Sequence, residues 1–476
     1  MKIKKTIYTC LMLLTGIGAS AQNNINQYMQ ESQIMGIAID CLDYDKYINQ
    51  DFMPVIAMLS TDEGMAWFID PVSYGQTTSH LWEFKLDPTK SMNQRVYADV
   101  FKCEFDVSSG TWTKGEIVTT IKNQNIKDLN RPIRNRIEYI IDNSIIMEKY
   151  QPEKKYYKTR GNNFVRIEQE GGNYKVYGSW QHNLNAPSIC DSPVEMENGL
   201  YLPLTNPVMQ TNMNVAKTLA SHPEFSEFFE IVKACGAVSG NNEKDNWTAV
   251  ASGEGLGNLF NIKYYGDVGA EDKPNGSATL KATYLLNNYH YTIYVPTNTA
   301  MQEAYAKGLP TISDLLAAEK YDYEQWKNYG IESNKASYIR EVMLNFVKYH
   351  IQDYSIFIDN GFDSGRYATA KHQFIKSPTS DKYIVGKPYR LNVNVSASGL
   401  EVTDNMGNTR KVLTNGGLHN IPANEFWVRG NLTPGSMPYN FQLDNSSFVV
   451  IHAIDGPLMY SSDQFEYKDI TFETEW

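Results

Sequence analysis

Two apolar segments, far apart in the chain, constrain its fold more than any other feature. Residues 290–295 form a run of β-branched and aromatic side chains that leads directly into a helix start at Pro296. Residues 447–454 form a second run of the same kind, which ends in a turn at Gly456. Each run is typical of a buried strand, so the sequence predicts that both belong to a packed core.

Helical patterns fill the chain between residues 221 and 350, and strand patterns follow. Ser221 and Glu224 have the spacing of a capping box. One predicted helix face after this box, ending near Gly236, comprises Phe225, Phe228, Phe229 and Val232. A longer predicted helix, capped near Ser333, buries Ile339, Val342, Met343, Phe346 and Val347. From residue 351 to 459 the pattern alternates with period two, which predicts an α+β fold with helices first and strands afterwards.

Three short motifs in these segments resemble the signatures of the fasciclin-like domain family. That family has an apolar strand followed by Pro-Thr-Asn, a Tyr-His pair after an amphipathic helix, and a late apolar strand with His-x-Ile-Asp. The matching residues here are Pro296, Thr297, Asn298, Tyr349, His350, His452 and Asp455. The resemblance implies a domain that works in adhesion and binding and has no catalytic site.

The first half of the chain repeats this plan with weaker motifs. A predicted strand at residues 53–59 leads into a helix start at 60–65, and residues 198–209 correspond to the late segment. We therefore predict two tandem fasciclin-like domains, each with N-terminal helices and a strand-rich C-terminal half. Their predicted ranges are 22–210 and 211–465, after a signal peptide at 1–21 and before a tail at 466–476. A different α+β fold for residues 22–210 is the alternative.

The N-terminus predicts export. Lysines at positions 2, 4 and 5 precede a short apolar stretch, and Ala19 and Ala21 form a small-x-small cleavage site. The apolar stretch is too short to cross a bilayer, and no other transmembrane segment is predicted. The net charge of −11 argues against nucleic acid as a partner. The expected location is the periplasm, the cell surface or the medium.

Four cysteines remain after removal of the signal peptide: Cys41, Cys103, Cys190 and Cys235. They allow three disulfide pairings in an exported protein, and the sequence does not choose among them. Free, buried cysteine is the alternative, because Cys235 falls on the apolar face of a predicted helix. Their wide spacing does not predict a zinc site, and no metal or other cofactor is expected.

The sequence carries no GxSxG elbow, HExxH helix or P-loop. His350 and His452 are the first candidates for catalysis, but apolar neighbours favour buried, neutral imidazoles that hydrogen-bond the backbone. Asp455 is expected in a turn, and Thr297 and Asn298 in helix caps. We therefore expect no catalytic residue. An enzyme acting on envelope polymers is the competing hypothesis, based on these histidines and on unassigned carboxylates.

Two aromatic-rich insertions are the candidate binding surface. Their aromatic residues are Tyr321, Tyr323, Trp326, Tyr329, Phe426, Trp427 and Tyr439. Exposed tyrosine and tryptophan side chains offer flat contacts for a protein hot spot or a sugar ring. In the alternative interpretation, Trp326 and one tyrosine of the first insertion pack inward.

The expected function is adhesion or interaction in a bacterial cell envelope, without enzymatic activity. The expected partner is an envelope, surface or matrix-type protein. The alternative is a glycan-binding accessory component of an outer-membrane polysaccharide uptake system, whose partner is a polysaccharide.

Overall fold

The structure is a computed structural model. It describes residues 36–39, 67–69, 79–86, 96–106, 111–122, most of 143–236, 263–265, most of 290–429, and 442–467. These residues form a mixed α+β fold with six α-helices and several sheets, which confirms the α+β part of the predicted fold class.

Five of the six described helices lie between residues 215 and 349. Their bounds are α1 Ser179–Leu184, α2 Val215–Ala220, α3 Ser226–Gly236, α4 Asn298–Ala306, α5 Ile312–Tyr329 and α6 Lys335–Tyr349. The strands before residue 210 are β1 Gly36–Ile39, β2 Trp67–Ile69, β3 Ser79–Leu86, β4 Val96–Asp106, β5 Thr111–Lys122, β6 Tyr156–Lys158, β7 Phe164–Glu170, β8 Asn173–Gly178, β9 Ser188–Cys190, β10 Val194–Met196 and β11 Gly199–Pro203. The later strands are β12 Lys263–Tyr265, β13 His290–Pro296, β14 Ile351–Asp353, β15 Gly365–Lys376, β16 Tyr383–Ser396, β17 Gly399–Thr403, β18 Thr409–Lys411, β19 Ile421–Arg429 and β20 Gln442–Ile454.

The two apolar segments at residues 290–295 and 447–454 lie in neighbouring strands of one large sheet. The order of its nine strands is β12-β19-β20-β13-β14-β15-β16-β17-β18. Strand β13 pairs in parallel with β20, from His290 opposite Phe448 to Pro296 opposite Ile454. Parallel neighbours need a long connection, and the chain between β13 and β20 supplies one of about 150 residues.

One hydrophobic core lies on one face of this sheet. Helices α2 to α6 contribute most of its helical side chains. Alternate β13 residues Tyr291, Ile293 and Val295 belong to that core, whereas Tyr294 belongs to a second core on the opposite face. The predicted stripes on α3 and α6 are confirmed, since Phe228 and Phe346 are fully or almost fully buried in this layer.

The predicted capping box at Ser221 and Glu224 is wrong. The Ser221 hydroxyl donates to the Thr218 carbonyl at 2.8 Å, so it closes the end of α2. A 3₁₀ turn over Pro223–Phe225 then leads into α3. The prediction failed because α2 ends one residue before Ser221, and a hydroxyl at a helix end can bond backward as well as forward.

The described part of the first half consists mainly of strands. Strands β2 to β5 form one antiparallel sheet, β6 to β9 form another, and β1 pairs with β11 beside β10. The predicted strand at 53–59 and the helix start at 60–65 lie outside the described residues. The segment at 199–202 lies in β11.

The β6–β9 sheet packs against the large sheet through an aromatic cluster. The Tyr156 ring stacks on Phe357 at 3.9 Å between centroids, and Phe164 lies 4.9 Å from Phe448. The Asn360 side-chain oxygen accepts the backbone N–H groups of Lys155 and Tyr156. The two halves of the chain therefore share a buried contact.

Cys235 is a free cysteine, which agrees with the free-cysteine alternative for this residue. Burial raises the pKa of Cys235 to about 12. Cys190 is buried in β9. Cys103 lies in β4, and Cys41 is outside the described residues. None of the helices that the structure describes is long and apolar enough to span a membrane.

Candidate functional site

His350 is fully buried at the end of α6. Its Nδ1 lies 2.8 Å from the Phe346 carbonyl, and its Nε2 accepts the backbone N–H of Leu458 at 3.1 Å. Burial lowers the pKa of His350 to about 4, so the imidazole is neutral at pH 7. A neutral ring with Nδ1 protonated satisfies both bonds and joins α6 to the segment after β20.

His452 is also fully buried, in the middle of the sheet. Its Nδ1 accepts the backbone N–H of Asn420 at 3.2 Å, and its Nε2 lies 2.8 Å from the Ile356 carbonyl. Burial lowers the pKa of His452 to about 4. Both histidines thus have the geometry expected of neutral imidazoles that join elements, with both ring nitrogens bonded to the backbone.

The Pro-Thr-Asn motif organises two helix starts. Pro296 ends β13, and the Thr297 side chain accepts the backbone N–H of Ala300 at the start of α4. Asn298 acts on a different helix, because its Oδ1 accepts the Glu227 N–H at 2.9 Å near the start of α3. The capping prediction is confirmed for both residues, and Asn298 caps a helix 71 residues earlier.

The side chains of Tyr349 and Asp455 also accept hydrogen bonds from the backbone. The buried Tyr349 hydroxyl accepts the backbone N–H of Asn405 at 2.8 Å, and burial raises its pKa. The Asp455 carboxylate accepts the Lys411 N–H at 2.9 Å, which ties the end of β20 to β18. These two side chains therefore tie α6 to the segment between β17 and β18, and the end of β20 to β18.

The aromatic residues of the first insertion lie on the C-terminal half of α5. Tyr321 is 45% exposed, Trp326 is 39% exposed and Tyr329 is 69% exposed. Tyr323 is half-buried, and the centroid of its ring lies 5.6 Å from Lys327 Nζ. The alternative interpretation expects Trp326 and one tyrosine to pack inward. Tyr323 agrees with it, because its side chain is half-buried, whereas Trp326 is packed only in part.

The exposure of these side chains follows from the length of α5. Leu315 and Ala318 are buried near its start. Trp326 and Tyr329 come eleven residues later, which is about three helical turns, so they continue the same face. That face is packed at the beginning of the helix and largely exposed at its end.

Ile331 extends this surface beyond the helix. It is 53% exposed and follows Gly330, whose left-handed conformation ends α5. We define the α5 surface as the exposed side chains of Tyr321, Trp326, Tyr329 and Ile331. Sequence reasoning missed Ile331, although an apolar residue directly after a helix-ending glycine is a signal for it.

The second insertion is described only in part. Phe426 and Trp427 lie in β19, opposite Ser446 and Asn445 of β20. Tyr439 lies outside the described residues, as do the other residues from 430 to 441. The structure therefore does not bring the two aromatic insertions into one described surface.

Sequence reasoning also missed Asp404, a buried carboxylate beside the segment that follows β20. Its Oδ2 accepts the Met459 N–H at 2.8 Å, and its Oδ1 accepts the N–H groups of Met406 and Asn408. The Asp-x-x-Gly turn at 404–407 was a usable signal. Within the described ranges, no group of three or more His, Cys, Asp or Glu side chains is placed to hold a metal ion.

Neither a protein-family model nor a curated protein matches this chain significantly.

Proposed function

We propose that this chain is an exported interaction protein of the bacterial cell envelope, built on a fasciclin-like scaffold and without enzymatic activity. The α5 surface binds an envelope, surface or matrix-type protein. The mature chain follows the cleavable signal peptide at 1–21, in the periplasm or at the cell surface.

The observation that carries this proposal is the uncovered continuation of a core helix face at Trp326 and Tyr329. Tryptophan and tyrosine are enriched among the residues that dominate the energy of protein interfaces. Exposed aromatic residues that continue a packed face are therefore good candidates for a partner's contact.

The fasciclin-like scaffold is supported by the places of the family motifs. The first and last motif segments are adjacent parallel strands, and the Tyr-His pair ends the long helix beside them. The tandem arrangement stays a prediction for residues 22–210, because its main counterparts lie outside the described residues. The domain limits at 210 and 465 stay predictions as well.

The non-enzymatic part of the proposal is supported by the two histidines. Their ring nitrogens are all bonded to backbone groups, so neither has a lone pair or proton directed at a substrate. A His452→Ala variant is expected to lose about 1–3 kcal/mol of stability, the cost of buried groups left unbonded. Loss of a measured hydrolytic activity without loss of stability would support the enzyme hypothesis instead.

The direct test is capture of partners from an envelope extract with the mature protein. Trp326→Ala combined with Tyr329→Ala should remove a partner that the wild type captures, because both truncate exposed hot-spot side chains. Tyr354→Ala is the matched control, since Tyr354 is 65% exposed and lies directly after β14, away from α5 in the chain. Equal capture by all three proteins would contradict the proposal.

A second candidate function is glycan binding as an accessory component of an outer-membrane polysaccharide uptake system. It is favoured by the same tyrosine and tryptophan side chains, which combine a flat apolar face with a polar edge. A glycan array that shows no binding at high protein concentration would remove this candidate.

A further inference from the structure

The last described residues of the chain run along α6 toward its first turn. The Phe465 ring lies 5.9 Å from the Phe346 ring, measured between centroids. The Tyr467 ring stacks on Tyr338 at 3.7 Å between centroids. Two residues of the final segment thus pass eight residues of α6, which is about 12 Å of helix. The chain is therefore directed toward the start of α6 where it leaves Tyr467.

The start of α6 adjoins the α5 surface. Lys335 is the first residue of α6, and its Nζ lies 5.0 Å from the centroid of the Tyr321 ring. The Asp322 carboxylate of α5 accepts the Lys335 backbone N–H at 3.2 Å. Tyr338 is three residues from Lys335, which is less than one helical turn. Tyr467, stacked on Tyr338, therefore lies near the α5 surface.

Residues 468–476 follow Tyr467 in the sequence and lie outside the described residues. Their pattern predicts an extended segment with one apolar face, because Ile470, Phe472 and Trp476 are separated by even numbers of residues. Exposure of three large apolar side chains to water is unfavourable. The segment is therefore suited to an apolar surface that covers this face.

The length of this segment matches the α5 surface. Nine extended residues span at most about 30 Å. Trp326 and Tyr329 lie five and eight residues after Tyr321 on α5, so the helical part of the surface is about 12 Å long. The segment can therefore cross this part of the surface from a starting point at Tyr467.

The charges of the segment and of the surface are complementary. Lys327 and Lys335 are exposed at the end of α5 and the start of α6. Among the described residues, neither forms an ion pair, and Glu332 is the one acidic residue between them in the sequence. The segment contains one lysine and three carboxylates, which belong to Asp469, Glu473 and Glu475. Attraction between these carboxylates and the two lysines therefore favours the contact.

We infer that residues 468–476 bind the α5 surface of their own molecule, with the apolar face of the segment on Trp326 and Tyr329. A tethered segment binds at a high effective concentration, because Tyr467 holds its start near the surface. A partner protein must displace the segment, so the segment lowers the partner's apparent affinity. This regulation rests on the proposed function, in which the partner uses the same surface.

The test is photo-crosslinking within the purified mature protein. A photoreactive phenylalanine analogue replaces Phe472, and in a control protein it replaces Tyr354. We expect light to join position 472 to residues 321–335, as located by mass spectrometry, in the monomer and with a yield that is independent of protein concentration. Position 354 should give no such adduct. An adduct elsewhere in the chain, an adduct only between molecules, or no adduct would overturn the inference.

Two aromatic truncations show whether the α5 surface holds the segment. Trp326→Ala with Tyr329→Ala should remove most of the adduct from position 472, because both truncated side chains are exposed contacts and the core of the fold is unchanged. Tyr354→Ala should leave the adduct yield at the wild-type level. Equal yields in all three proteins would contradict the assigned surface.

A variant of the segment tests its competition with a partner. Ile470→Ser with Phe472→Ser weakens the apolar face of the segment and changes no described residue. Capture of the partner from the envelope extract should become about 10-fold stronger, as expected for a surface that is otherwise free about one-tenth of the time. Unchanged or weaker capture would show that the segment does not compete.

Failure of this inference and failure of the proposed function give different results. Wild-type capture that depends on Trp326 and Tyr329, without an adduct from position 472, leaves the proposed function standing and removes the inference. An adduct on α5 without any captured partner supports the contact but removes the proposed function and, with it, the regulation.

Discussion

At the scale of single residues, the large sheet and its helices depend on buried polar side chains that bond the backbone. His350, His452 and Asp404 each hold segments that are distant in sequence, and each is almost fully buried. The burial of the two histidines could be predicted from the sequence, because their neighbours in the chain are apolar. Their acceptors and donors could not, since Leu458 lies 108 residues from His350.

The histidines give the fold a predictable dependence on pH. Their pKa values of about 4 lie below the ordinary 6.5, so between these pH values the unfolded chain binds more protons than the folded one. The stability from each is complete above about pH 6.5 and is lost as the pH falls toward 4. At pH 5 the loss should be about 2 kcal/mol for each histidine.

Urea unfolding at pH 7 and pH 5 checks this prediction. His452→Gln removes one titrating group, so its stability should fall less between the two pH values than that of the wild type. An equal fall in both proteins would show that His452 is not held neutral by burial.

At the scale of elements, the helices were predictable where the signals are local. The buried stripe on α6 consists of residues spaced three and four apart in the sequence. The Thr297 cap joins two residues within one helical turn. The cap of α6 was predicted at Ser333, and this is wrong. Asp322 of α5 accepts the N–H groups of Lys335 and Ala336, and also the Ser333 hydroxyl. No local pattern identifies a cap that comes from another helix.

Asp322 therefore joins the helix that carries the α5 surface to α6. Asp322→Ala should cost about 1 kcal/mol, as lost N-caps do, and should speed hydrogen exchange at the Lys335 and Ala336 amides. Asp322→Asn keeps an acceptor oxygen and should exchange at nearly the wild-type rate. Unchanged exchange in Asp322→Ala would contradict the assigned cap.

At the scale of the whole molecule, the contact between the two halves could not be predicted. Asn420 Nδ2 donates to the Tyr156 hydroxyl, a bond between residues 264 apart, and Asn420 has the left-handed backbone conformation that asparagine tolerates. The α+β class followed from the order of helix and strand patterns. The parallel pairing of β13 with β20 did not, because the sequence pattern shows burial but not the neighbouring strand.

Tyr156 tests whether this contact couples the halves. Tyr156→Ala removes a buried ring that stacks on Phe357, and it should cost about 3–5 kcal/mol, as large aromatic truncations do. Tyr156→Phe keeps the ring and should cost only about 1 kcal/mol. Hydrogen exchange in urea should show β7 opening before β13 in Tyr156→Ala, and simultaneous opening would show that the contact does not join the halves.

The central claim is that the α5 surface touches a partner, and photo-crosslinking in living cells tests it most directly. A photoreactive phenylalanine analogue placed at Tyr329 is compared with the same analogue at Tyr354, which is similarly exposed directly after β14. We expect a light-dependent adduct from position 329 that is weak or missing from position 354. Adducts of equal yield at both positions, or at neither, would contradict it.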